Sequence, residues 1–151
     1  MTKISEPNGN TIRFDENQIR HDNAEGTLTR RVVFERDGQG RITALHDPEH
    51  LDADGNPAGP PAYKYEYDDK GNLVAAKELV DAADPDNPQY ETTRYVYGKE
   101  EFPHYITEIK DPRGVSPMKS FYDEDGRLIA TEDAFGNRIE LDHAVADNTE
   151  T

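Results

Sequence analysis

A five-residue pattern constrains this chain most: Asp, two variable residues, Gly, then Arg or Asn. It stands at Asp37-Gly38-Gln39-Gly40-Arg41, Asp68-Asp69-Lys70-Gly71-Asn72, Asp123-Glu124-Asp125-Gly126-Arg127 and Asp133-Ala134-Phe135-Gly136-Asn137. An Asp side chain can accept a hydrogen bond from its own backbone two residues on, and Gly accepts the positive φ that closes a tight turn. Each copy therefore predicts a hairpin corner. Asp111-Pro112-Arg113-Gly114 predicts a further turn, with Pro where its fixed φ is suited. The residues read as structural are thus Asp37, Gly40, Asp68, Gly71, Asp111, Gly114, Asp123, Gly126, Asp133 and Gly136.

The segments between these corners alternate like strands. Tyr63, Tyr65 and Tyr67 occupy every second position and so share one sheet face, and residues 30–35, 41–46, 90–97, 118–122, 127–131 and 138–142 read the same way. Residues 104–110 are also expected to form a strand, with Tyr105, Thr107 and Ile109 aligned. Residues 72–80 carry Ala, Lys, Glu and Leu that would suit a short helix, but the turn before them and their small length favour a strand. Near the start, a Gly-Asn turn at Asn8-Gly9-Asn10 feeds a strand, and residues 16–27 read as polar and irregular. The expected fold is all-β, an antiparallel sheet of consecutive hairpins left open at its ends. Residues 1–29 would form a partial repeat and an irregular N-terminal arm. Residues 30–143 would form the repeat region, with loop insertions at 47–61 and 81–89, and residues 144–151 a disordered acidic tail.

Composition makes this an unusual sheet. Only 33% of residues are hydrophobic against 32% charged, and 32 Asp and Glu against 17 Lys and Arg leave a formal net charge of -15. Aliphatic poverty of this degree borders on the composition of disordered chains. Eight Tyr and five Phe oppose it, because their apolar bodies and wet tips suit half-exposed sheets. Strong acidity argues against nucleic acid and anionic membranes, which reward positive charge. No apolar stretch approaches the ~20 residues needed to span a bilayer, and the first residues carry no hydrophobic signal region. With no Cys, disulfides and thiol chemistry are excluded, and the compartment stays open.

Two groups of residues invite a ligand. Asp52, Asp54 and Asn56 alternate oxygen donors as half of a calcium loop would, although the distal Glu of an EF-hand is missing at its proper spacing. The rows Tyr63, Tyr65, Tyr67 and Tyr95, Tyr97 could stack on carbohydrate, or could pack across strands to hold neighbouring hairpins together. No Ser or Cys stands in a nucleophile turn, and no acidic pair can be singled out among so many carboxylates, so no catalytic residue is assigned.

Tyr65-Glu66-Tyr67-Asp68-Asp69-Lys70-Gly71-Asn72-Leu73, and the run from Phe121 through Tyr122-Asp123-Glu124-Asp125-Gly126-Arg127-Leu128 to Gly136-Asn137, resemble the YD repeat of the Rhs and teneurin-like proteins. The resemblance extends over roughly residues 30–142, with departures: Arg36 stands where the aromatic before Asp37 would be, and both loops are longer than the repeat requires. It implies a segment of a wound β-shell or scaffold rather than an enzyme, extracellular or in the cell envelope if exported. Its partners would be neighbouring repeats of a larger chain or another protein, and no cofactor is implied. Two alternatives stand beside it: a calcium- or carbohydrate-binding β-module, and a small acidic immunity-like partner protein.

Overall fold

The computed structural model describes residues 2–143; the expected tail at 144–151 lies outside them. Twelve strands are hydrogen-bonded antiparallel in chain order. They are β1 (Thr2–Ser5), β2 (Thr11–Phe14), β3 (Gln18–Asp22), β4 (Leu28–Arg36), β5 (Ile42–His46), β6 (Tyr63–Tyr67), β7 (Leu73–Asp81), β8 (Gln89–Val96), β9 (Glu108–Lys110), β10 (Met118–Tyr122), β11 (Leu128–Glu132) and β12 (Arg138–Glu140). The only helical element among the described residues is one 3-10 turn, Pro48–His50. The sheet is not closed into a barrel, and no helix of the described residues is long and apolar enough to cross a membrane.

The reason for this order is visible in the turns. Among the described residues, positive φ is confined to eight glycines, 9, 26, 40, 55, 71, 114, 126 and 136, at 79 to 90°. Each closes the same unit. The Gly N–H donates to the carbonyl three residues back, and that earlier residue's N–H donates to the carbonyl just after the Gly, as in Gly71 to Asp68 (3.0 Å) and Asp68 to Asn72 (2.9 Å). This is a type I turn followed by a left-handed residue, one of the short connections a twisted hairpin accepts. The repeat therefore recurs at Glu6–Asn10, Asn23–Thr27 and Asp52–Asn56 as well, where Glu6 and Asn23 stand in the Asp position in the first two.

Two compact units divide the described residues: those up to Glu66 with Ala76–Thr92, and Tyr67–Ala75 with those from Thr93 onward. In the first, β1 to β5 pair in succession and β6 joins β5 through Ala44 opposite Lys64. In the second, β8 to β12 pair in succession, with Tyr95 opposite Ile109 and Lys119 opposite Glu132.

Two sequence expectations are corrected. Residues 16–27 are not irregular: they contain β3 and the Asn23 turn. The strand expected over 104–110 is confined to β9, because His104 and Tyr105 are held by side-chain contacts in the connection before it. The loop at 47–61 encloses the 3-10 turn and the Asp52 hairpin turn, closed by a bridge between Leu51 and Pro57. Residues 73–81 are strand β7, in agreement with the preferred reading of that segment.

Among the described residues no large apolar side chain is fully buried. The buried hydrophobics are Ala44, Ala62, Ala75 and Ala130, beside buried Thr11, Asp22, His46, Asn72 and Ser120. Ala44, Ala75 and Ala130 each stand four residues after a turn glycine, at 40, 71 and 126. The return arms of these three hairpins thus place a small side chain where packing is tightest.

Candidate interaction surface

The turn carboxylates are occupied. In the turns at Asp37, Asp68, Asp111, Asp123 and Asp133, one Oδ1 accepts both the N–H two residues on and the N–H four residues on, at 2.8 to 3.0 Å. Oδ2 then takes the side chain after the Gly: Arg41 Nε donates to Asp37 at 2.7 Å, Asn72 Nδ2 to Asp68 at 2.9 Å and Asn137 Nδ2 to Asp133 at 2.8 Å. The alternation of Arg and Asn at that position has a simple cause, since both carry planar N–H donors. The Arg41 hydrogen bond holds the Asp37 carboxyl below its ordinary value, and that of Asn137 does the same for Asp133.

Asp52 behaves as another member of this series. Its Oδ1 accepts Asn56 N–H at 2.8 Å and its Oδ2 accepts Asn56 Nδ2 at 3.3 Å, and the backbone bond from Asn56 lowers its pKa. Asp54 contributes its carbonyl to Arg31 Nη2 at 2.6 Å. The described residues hold no group of three or more His, Cys, Asp or Glu placed to hold a metal ion.

The tyrosines are partly engaged within the fold. Tyr63 is on the surface and its hydroxyl donates to Glu78 at 3.2 Å, which raises its pKa by charge repulsion first. Tyr97 is half-buried with its hydroxyl on Leu73 O at 2.9 Å, and burial raises its pKa. Tyr65 and Tyr67 lie beside Tyr63 along β6, both half-buried, and Tyr95 pairs across from Ile109. Tyr90 and Tyr122 follow Tyr97, donating to the carbonyls of Pro61 and Ile106. Aromatic rings here tie strands and loops together through main-chain acceptors.

Three arrangements escape a linear reading because they exist only across strands. In the first unit, Lys3, Arg13, Arg20 and Arg31 stand opposite one another on β1 to β4. Like charges so placed repel. Asp22, with no exposed surface, lies among them, its Oδ2 3.1 Å from Arg13 Nε and its Oδ1 3.0 Å from Arg20 Nε, and the Arg20 hydrogen bond lowers its pKa. In the second unit, the register places Glu108, Lys119, Glu132 and Arg138 in one row over β9 to β12. The signs alternate, with Lys119 2.8 Å from Glu132 and raised in pKa by that bond.

The third arrangement is a knot around the connection 97–107. Buried Asn72 donates to Pro103 O at 2.9 Å and accepts from His104 Nδ1 at 2.6 Å. Lys99 Nζ donates to the carbonyls of Tyr122 and Asp123, while Phe102 stacks on Tyr105 at 4.9 Å and Tyr105 meets Tyr122 at 5.0 Å. This connection braces the Asp68 and Asp123 turns. Beside it an open cleft of about 480 Å³ is lined by Lys99, Thr107, Lys119, Phe121 and Arg138, among others.

No protein-family model matches the chain, and no curated protein matches it.

Proposed function

We propose that this chain is a non-enzymatic scaffold segment, a run of hairpin repeats of the YD type whose work is to pair strands with neighbouring repeats or another protein. The observation that carries the reading is the recurrence of one hydrogen-bonded turn eight times among the described residues, each with its glycine at positive φ. Turn carboxylates spent on backbone N–H groups are structural parts. Over the described residues the sheet adds unit after unit without a large apolar side chain fully buried, so stability comes chiefly from nearest neighbours, as in repeat proteins.

Appending one more hairpin tests this. A chain extended after His143 by a copy of residues 118–132 should melt at a higher temperature than the original, because a terminal unit gains a neighbour. An unchanged or lower melting temperature would overturn the scaffold reading.

A further inference from the structure

β12 is the last strand of the described sheet, and its outer edge has a definite chemistry. Leu141 N–H donates to Ile129 O at 2.8 Å, so in the β11–β12 register Ile139 forms a hydrogen-bonded pair with Thr131. Antiparallel pairs alternate, and the N–H and C=O of Arg138 and Glu140 therefore point away from β11. Among the described residues no strand meets them. Their side chains share one face, while Ile139 (65% exposed) and Leu141 (40% exposed) occupy the other, and Phe135 at the adjoining turn tip is 91% exposed.

We propose that this edge pairs with the same edge of a second copy of the chain, antiparallel about a two-fold axis through Ile139. The sequence Arg138-Ile139-Glu140 is its own complement in that arrangement. Arg138 faces Glu140 of the second copy, Ile139 faces Ile139, and Glu140 faces Arg138. The four outward backbone groups of each strand are satisfied by those of the other, an isologous contact that closes on itself. The alternating row Glu108, Lys119, Glu132, Arg138 continues across the axis with the sign it requires, since the next side chain is an acid. In the single chain the Arg138 guanidinium lies over the Phe121 ring of β10, 4.2 Å from its centroid, and pairs with Glu140 of its own strand at 3.5 Å, so facing Glu140 of the second copy requires it to turn toward the outer edge. Exposed edges are otherwise a hazard that charge must guard, and here the guarding charges match each other. Two chains of net charge -15 repel at long range, so the contact is favoured at physiological salt, where the screening length is about 8 Å.

The inference rests on reading the chain as a strand-pairing module. Sedimentation velocity on the full chain, over a concentration series at physiological salt, should show a monomer–dimer equilibrium. Arg138→Glu and Glu140→Arg should each weaken it by about tenfold or more, because each sets like charges opposite across the axis twice. Mixing the two variants should restore a dimer, now a heterodimer, because an acid-Ile-acid edge meets a base-Ile-base edge. Glu140→Arg keeps the Arg138 contact with Phe121 and so guards against loss of β12 itself; matching circular dichroism melts check this. A wild-type chain monomeric throughout, a dimer indifferent to both substitutions, or a mixture that stays monomeric would each overturn the proposal. A monomer that is still stabilised by an appended hairpin would remove self-pairing and keep the scaffold.

Discussion

Gly40 and Gly55 share one backbone conformation, at φ +81 and +79°, and differ in what surrounds them. A Cβ on Gly40 would meet nothing within 4 Å, so Gly40→Ala should cost only the left-handed penalty, about 1 to 2 kcal/mol. A Cβ on Gly55 would collide with the guanidinium of Arg31, which holds the Asp54 carbonyl through Nη2 and Gln18 through Nη1. Gly55→Ala should therefore destabilise more than Gly40→Ala in urea melts, and equal losses would mean that Arg31 moves aside freely. The sequence shows Gly40 as a turn residue through its Asp-x-x-Gly-Arg setting. Asp52-Ala53-Asp54-Gly55-Asn56 has the same form, yet its alternating acids read as cation ligands; its backbone bonds and those from Asn56 place it among the turns.

Elements were legible where both the turn and the alternation were strong. β10 and β11 stand within a residue of their expected bounds and β6 carries the three alternate tyrosines, because each of these strands runs directly into an Asp-x-x-Gly corner. β3 was not legible: Gln18, Arg20 and Asp22 share one face, and buried Asp22 is neutralised by two arginines from β2 and β3. Residues 104–107 show the reverse, an alternating pattern overruled by His104 on Asn72 and by the stacked rings. In three of the hairpins a buried Ala stands four places after the turn glycine. Ala130, with no exposed surface, is opposite Phe121 on one side and Glu140 on the other, so Ala130→Leu should overpack the site and cost about 1 to 3 kcal/mol. A neutral result in chemical denaturation would show that the hairpins can spread without penalty.

At the scale of the whole molecule, the turn carboxylates act together on acid stability. Asp37, Asp52, Asp68, Asp111 and Asp133 are all lowered from 3.8, as is Asp22. A depressed folded-state pKa means that the unfolded chain takes up protons first, so this stabilisation is complete above 3.8 and is lost as pH falls through the depressed values. Acid unfolding followed by circular dichroism should therefore begin below about pH 4. A chain as stable at pH 2 as at pH 7 would show that the turn carboxylates contribute nothing as ions.

What the sequence determined by itself was local: an Asp that bonds its own backbone, a Gly that alone accepts positive φ, and side chains that alternate between faces. These fix hairpins and an all-β chain because their causes lie within five residues. The tertiary structure decided everything that depends on register: which arginines crowd around Asp22, how the signs alternate from Glu108 to Arg138, and which backbone groups of β12 face outward. Register follows from how one hairpin settles against the next, and a slip of one residue would have turned each of those side chains to the opposite face.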